Sequence, residues 1–508
     1  MSQKTSSVRN VTAVTMGLYL LFVLLTSYFT YFYGYMNPQA SFWDEPYHIA
    51  AAQKYLNGVF FMEQHPPLGK LLIALGEKIT HSNAQNDMFI TTDFAQGFEK
   101  YPDFSFTGFR LFPSLLGWLT APILFLIFLF ITKSHPLSAL LSFLYIFDNA
   151  QIVHSRGAMV DSPLTFFGML TILLFLHTQD RSKSGEGLSK LCVLSLFFGV
   201  SFALTLTTKV VGLIFILLVP ATLYRLLPDW RRIVIFLLAF SAAFLVTYIT
   251  IWQIHFSLAS RIVPELNTEG YYHASDEYKA ILANGDNGSL RSFPVMLRDS
   301  LAFVGYYNKG VPRLDMCKPD ENGSPSFLWP IGAKTINYRW EQVNDTTFRY
   351  LYLVTNPVAW ACGLIGVLLA FSLLFSSVFL GTTIRNRFLL AVFFTMYAGY
   401  MIVIGSLPRV MYLYHYFIPL LLSFILFVLA FDNILRIGRL AVTETGKLIA
   451  ATVLSILIFA AFQFYRPLTY YQPISNDSVT FRSLIPLWDL RCVHCARENP
   501  LVVPTSGK

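Results

Sequence analysis

The sequence predicts an all-α polytopic membrane protein, with about eleven transmembrane helices and large outer loops that carry interfacial helices. Three observations predict it. Of the 508 residues, 55% are hydrophobic and only 13% are charged, about half the charge of an ordinary soluble domain. Mean hydropathy is +0.53. The apolar residues also fall in runs of about the 20 that a helix needs to cross a bilayer core. These figures exclude a disordered chain, a disulfide-rich secreted module and an ordinary cytosolic enzyme. A net charge of +8 does not point to nucleic acid, since no Lys/Arg run exceeds a pair and basic inner loops give membrane proteins this balance.

Taken in order, spans are expected near 12–33, 109–131, 137–153, 162–178, 191–206, 211–224, 233–252, 352–379, 388–405, 411–432 and 448–464. The first is long enough to cross and lacks a small-residue cleavage site, so it reads as a signal anchor. The fifth and sixth are short and tightly joined. With the N-terminus inside, the inner segments carry Lys4, Arg9, Lys133, Arg181, Lys183, Lys190, Arg225, Arg231, Arg232, Arg385, Arg387, Arg436, Arg439 and Lys447. The short outer loops carry only Arg156, Lys209 and Arg409. Fourteen against three is a strong positive-inside bias. The three outer cations are the informative ones, because each stands beside a span end where topology does not favour it.

A membrane domain over 1–464 and an external tail over 465–508 are expected. The outer loop 34–108 holds two helical patches, Pro46–Leu56 and Leu68–Ile79. The second aligns Leu68, Leu71, Leu72 and Leu75 on one face, which suits an interfacial helix. The loop 253–351 is rich in Asn, Gly, Pro, Tyr and Trp and is expected to be irregular with short elements. Cys492 and Cys495 form a CxxC in the tail, open to a disulfide, half a metal site or no role.

Five segments carry chemistry. Asp44 and Glu45 follow the first span. Adjacent carboxylates at a membrane boundary repel each other and lose hydration, which suits general-base work on a hydroxyl. A plain helix start, with Pro46 in its first turn, explains them equally well. Glu63-Gln64-His65-Pro66-Pro67-Leu68-Gly69-Lys70 makes a rigid proline elbow flanked by His65 and Lys70. Asp148 and Asn149 lie inside an apolar run, where a polar pair faces a cavity or a partner helix. Beyond them, Arg156 and Asp161 could pair with each other, and Asp161 could cap the following span. Lys209 joins two spans. Read as a helix, the run from Arg409 puts Tyr412 and Tyr416 on its face with His415 adjacent, a set that could hold a phosphate or form an aromatic belt. All these charges fall on the outer side. Such a face suits a lipid-phosphate donor, whose leaving group needs cations, and an acceptor hydroxyl, which needs a base.

Asp44-Glu45, His65-Pro66-Pro67-Leu68-Gly69-Lys70, Ser155-Arg156 with Asp161-Ser162, Thr208-Lys209 and Tyr414-His415-Tyr416 occur in this order over roughly residues 40 to 420. Gly108-Phe109-Arg110-Leu111 and Asn356-Pro357-Val358-Ala359-Trp360 accompany them. The set resembles the protein O-mannosyltransferases, multi-span enzymes that use polyprenyl-phosphate sugars. The resemblance implies an inverting transfer of mannose from polyprenyl- or dolichyl-phosphate mannose to Ser or Thr hydroxyls of exported polypeptides. It implies Asp44 as the base, Glu45 as its support or an acceptor-positioning group, and Asp161 as a second acid. From charge and side, His65, Lys209 and Arg409 are the first choices for the lipid phosphate, within a wider binding set of Lys70, Arg110, Arg156, Tyr412 and His415.

The chain departs from the family where it has Glu63, since members tend to show Asp two residues before His-Pro-Pro. Its outer loop is also too short for the β-trefoil domain that eukaryotic members insert, so it resembles a bacterial-type member of the plasma membrane, with an endoplasmic reticulum setting if the source is eukaryotic. Acceptor choice would then rest on the outer loops or on a coupled export channel. No cofactor is implied, and a divalent cation is left open. Two other readings are a lipid-linked sugar transferase acting on a glycolipid, such as an aminoarabinose transferase, and a transporter of a lipid-linked sugar. The span-end charges and the lack of repeats disfavour the transporter.

Overall fold

The computed structural model describes residues 2–181, 187–263, 269–434, 436–437, 440–493 and 495. Its apolar runs are helical because, in lipid, a helix is the one open segment that pairs its own N–H and C=O groups. In chain order the helices are α1 (Ser2–Ser27), α2 (Glu45–Leu56), α3 (Leu68–Thr80), α4 (Thr107–Thr132), α5 (His135–Leu141), α6 (Phe143–Ile146), α7 (Asn149–Ser155), α8 (Asp161–Arg181), α9 (Leu188–Thr208) and α10 (Leu218–Leu226). They continue with α11 (Trp230–Leu258), α12 (Glu269–His273), α13 (Asp276–Asn284), α14 (Phe293–Gly310), α15 (Pro357–Phe379), α16 (Arg387–Gly405), α17 (Phe417–Asn433), α18 (Glu444–Thr469) and α19 (Asn476–Arg482). The strands are β1 (Ile336–Gln342), β2 (Thr347–Leu353), β3 (Arg436–Ile437), β4 (Leu440–Ala441) and β5 (Pro473–Ser475).

Among the described residues, nine helical stretches are long and apolar enough to cross a membrane: Val14–Phe32, α4, Asp161–Gln179, α9, α11, α15, α16, Leu413–Asn433 and α18. Two of the eleven expected spans differ. The stretch expected at 137–153 is broken, with His135–Ile146 and Asn149–Ser155 bent by 65°. Asp148 makes the break: its Oδ1 accepts from the Gln151 amide at 2.9 Å and so caps α7, while its Oδ2 accepts from the Trp360 indole at 2.7 Å. The stretch expected at 211–224 starts as a 3-10 helix, Val210–Leu217, and continues as α10. Together they form an apolar helix shorter than a span. Lys209, extended at φ −156° and ψ 138°, separates it from α9. Lys183 and Arg439 of the inner set, and the tail from residue 496 onward, lie outside the described residues.

The chain divides into two compact units, Met1–Tyr33 with Trp118–His154 and Pro312–Lys508, and Gly34–Gly117 with Ser155–Val311. In the first unit α17 is buried along its length, packing on α15 and α16. Asn356 caps α15 through the Val358 and Ala359 amides, and its Nδ2 donates to the carbonyls of Phe147 and Ile458, both at 2.9 Å. Asn149 donates to Phe462 O and to the Thr469 hydroxyl at 2.7 Å. The polar pair Asp148–Asn149 therefore serves its partner helices. Strands β1, β2 and β5 form an antiparallel sheet in that order, and Cys492 and Cys495 are disulfide-bonded.

In the second unit α8, α9 and α11 pack side by side. A Cβ on Gly199 would lie 2.3 Å from the Phe240 carbonyl, so α9 meets α11 at a distance that only glycine permits. The two patches expected in the first loop are the helices α2 and α3, which pack on each other. The loop expected to be irregular holds the 18-residue helix α14 and, in the first unit, the β1–β2 hairpin.

Candidate active site

The site builds from the start of α2. Trp43 adopts left-handed backbone (φ 51°), an uncommon conformation for a bulky residue that marks local strain. Asp44 follows at the N-cap position, yet its side chain makes no capping bond. Asp44 and Glu45 open α2 and Pro46 occupies its first turn, as the helix-start reading expects.

Glu45 is fully buried. Its Oε1 accepts from Arg110 Nε at 2.6 Å and from the Ala158 amide at 2.8 Å. Its Oε2 accepts from Arg110 Nη2 at 2.7 Å and from the Phe42 amide at 3.1 Å. Arg110 is also fully buried. Its remaining N–H groups go to the carbonyls of Met36 (2.9 Å), Pro38 (2.5 Å) and Ala40 (2.7 Å), and its plane lies against Phe42 and Phe106. A guanidinium has five N–H groups, and all five are used. Arg110 thus keeps no N–H group spare for the phosphate that its charge had suggested. It holds the chain before Asp44 in place.

Ala158 ties a second segment to α2. Its N–H goes to Glu45, and its C=O faces His48 Nδ1 at 2.7 Å. This fixes the stretch from Arg156 to Asp161. Arg156 is buried and donates to Gly34 O at 2.6 Å. The Asp161 Oδ1 accepts from Lys209 Nζ at 2.9 Å in a buried ion pair.

The proline elbow supplies the third wall. A Cβ on Gly69 would lie 2.7 Å from Val160 Cγ1, so glycine lets α3 pack directly beside Asp161. Lys70 is buried and forms an ion pair with Glu63, which gives the departing Glu63 a partner. Desolvation, together with Lys209 and Lys70, holds the His65 imidazole well below its usual value. Burial, and then Lys70, brings His48 down to about 3, against the pull of its Ala158 bond and of Asp161. Both rings are neutral near pH 7. Behind them, Tyr55 OH and His255 Nδ1 are 2.7 Å apart, and burial with nearby Glu63 raises the Tyr55 hydroxyl.

Among the predicted residues, Asp44, Glu45, His65, Lys70, Arg110, Arg156, Asp161 and Lys209 thus belong to the second unit. Arg409, Tyr412 and His415 belong to the first. The helix expected from Arg409 does not form there. Leu407 precedes Pro408, which disfavours helical backbone; α16 ends at Gly405, Tyr412 is extended (φ −119°, ψ 158°), and a 3-10 turn begins only at Leu413. No common helix face therefore joins Arg409, Tyr412 and Tyr416. His415 is buried, stacks on Tyr414 with centroids 4.5 Å apart and turns Nδ1 to the Tyr412 backbone. Tyr416 OH lies 3.0 Å from Tyr397 OH.

His48 was absent from the expected set. Its signal was its place one helical turn after Asp44, on the same side of α2. Among the described residues, no group of three or more His, Cys, Asp or Glu side chains is placed to hold a metal ion.

Family comparisons match this arrangement in two successive blocks. The model for "Dolichyl-phosphate-mannose-protein mannosyltransferase" matches residues 21–254, and that for the "C-terminal four TMM region of protein-O-mannosyltransferase" matches residues 308–488. The chain belongs to the protein O-mannosyltransferase family. It is 28% identical over 277 residues to Protein O-mannosyl-transferase 2 of Drosophila melanogaster, covering 52% of this chain and 35% of the relative. It is 30% identical over 288 residues to Protein O-mannosyl-transferase 2 of Danio rerio, covering 54% and 36%. The chain thus spans about a third of the length of these relatives. The S. cerevisiae protein O-mannosyltransferase Pmt1-Pmt2 complex bound to the sugar donor has the same fold, with a TM-score of 0.77 at 14% identity, covering 93% of this chain and 92% of that one. With nine helical stretches able to cross a membrane among its described residues, the chain is a multi-pass membrane protein.

Proposed function

We propose that this family member transfers mannose from a polyprenyl-phosphate donor to Ser or Thr hydroxyls of polypeptides. One observation carries the reading. Asp44 opens α2 in the same unit as Arg156 and the buried Asp161–Lys209 pair, so a carboxylate and cations share one unit. The names of the relatives support the donor and the acceptor class.

In this account Asp44 takes the proton of the acceptor hydroxyl as its oxygen attacks the anomeric carbon of mannose. The bond from that carbon to the phosphate oxygen breaks, with inversion. Lys209 and Arg156 offset the charge that grows on the departing phosphate. Glu45 and Arg110 position Asp44 without touching substrate. The basic inner segments favour a site on the outer side of the membrane. The outer loop 253–351, too short for the inserted trefoil of eukaryotic members, favours a bacterial plasma membrane, where an export channel could deliver unfolded acceptors.

The test is transfer from radiolabelled polyprenyl-phosphate mannose to a Ser/Thr peptide by the purified chain in liposomes, with and without a chelator to score any divalent cation. Label in the peptide, released by β-elimination, supports the reading. Label in a glycolipid instead would favour the glycolipid transferase. Label moved across the bilayer with no covalent product would favour the transporter.

A further inference from the structure

We propose that His48 reads a hydroxyl of the transferred sugar through its Nε2 atom; the inference rests on the mannosyl-transfer reading above. Nδ1 lies 2.7 Å from the Ala158 carbonyl. A carbonyl only accepts, so Nδ1 carries the proton and Nε2 of the neutral ring is left as an acceptor. The ring is buried, and its amide N–H reaches back to the Asp44 carbonyl at 3.3 Å.

The chemistry around it selects the ligand. Lys70 is paired with Glu63, and Lys209 with Asp161. A neutral acceptor among these pairs has nothing to offer phosphate oxygens, which are acceptors themselves. It fits a hydroxyl that donates. The acceptor residue has one hydroxyl proton, and in the proposed step that proton goes to Asp44. The hydroxyl left for His48 is therefore one of the sugar's, which gives the site a means of reading which hexose it holds.

Two variants separate this role from the Ala158 bond. His48→Asn keeps an N–H near the Nδ1 position but has no group at Nε2. His48→Gln places an amide oxygen near Nε2 and loses the Nδ1 donor. Each is assayed with the parent mannosyl donor and with donors lacking one sugar hydroxyl at a time. In the wild type, one deoxy donor should lose roughly tenfold in kcat/KM, the worth of a single neutral hydrogen bond. His48→Asn should lose a similar factor with the parent donor and show no further loss with that deoxy donor. His48→Gln should recover part of the discrimination.

A merely structural ring predicts the reverse order, with His48→Asn near wild type. That result, or an unchanged deoxy penalty in His48→Asn, overturns the proposal. If the variants fail to fold, the wild type still decides: no deoxy donor with a loss near tenfold also overturns it. Absence of any wild-type transfer to peptide is a different failure, that of the mannosyl-transfer reading.

Discussion

Arg110 spends all five guanidinium N–H groups on protein acceptors, and Glu45 receives two of them in a fully buried pair. Such a pair gives little net stability as a unit, but losing one partner strands a buried charge, at about 3–5 kcal/mol. Glu45→Gln and Arg110→Ala should each lower the melting temperature of the detergent-solubilised protein by several degrees. Arg110→Lys should not rescue, because an ammonium cannot reproduce the planar fork. An unchanged melting temperature, with the defect confined to the KM for donor, would return Arg110 to the phosphate.

Asp161 and Lys209 should behave as a coupled pair. Asp161→Asn and Lys209→Gln each leave a buried charge without its counter-ion, so each alone should destabilise, whereas the double variant should recover much of the loss. A coupling energy of about 1–3 kcal/mol from a denaturation cycle is expected. Transfer should not recover in the double variant, since Lys209 is assigned to the phosphate. Additive losses in stability would show that the pair is not a unit.

Stability should fall on acidification. In the folded protein His48 is held at about 3 and His65 well below the usual value, by desolvation and by Lys70 and Lys209. The unfolded chain takes up these protons as pH drops through about 6.5. Between there and the folded values the unfolded state binds more protons, so stability rises with pH across that window and is lost as pH falls. Melting temperature should drop from about pH 7 to about pH 5, and His48→Asn should reduce that slope. A variant slope equal to the wild type would remove His48 as a contributor.

Sidedness can be read from a native residue. Cys317 is exposed in the segment assigned outside, and Cys362 is buried. A membrane-impermeant maleimide should label Cys317 in intact cells. In a Cys317→Ser background, a cysteine replacing exposed Trp230, at the end of α11 assigned inside, should stay unlabelled until the cells are opened. The opposite pattern would invert the topology and the proposed side of the site.

Most spans, and the loop helices α2 and α3, were legible in the sequence because hydropathy and apolar spacing are what fix them. The break at Asp148 was not, since an aspartate that caps a helix and one that faces a cavity look alike in a one-dimensional string. The 3-10 run Val210–Leu217 was as apolar as any α-helix, and nothing in its composition shows that its path turns at Lys209.

Within the candidate site, Asp44, Asp161 and Lys209 were singled out by motif and by side. What each charge meets was hidden. Arg110 and Arg156 read alike as cations, yet every N–H of Arg110 is committed, three to the loop before Asp44 and two to Glu45. The run from Arg409 looked helical by spacing, and the proline before it decided otherwise. His48 lay in plain view in the motif, but its role depends on a carbonyl more than a hundred positions away, which no local pattern reports.

The central claim is that Asp44 is the base, and Asp44→Asn tests it most directly. The substitution keeps the size of the side chain and replaces the proton-accepting carboxylate with a neutral amide. Transfer from polyprenyl-phosphate mannose to a Ser/Thr peptide should fall by roughly 10²- to 10⁴-fold, while the melting temperature and donor binding stay close to wild type. Near-normal transfer by a folded Asp44→Asn protein would contradict the account.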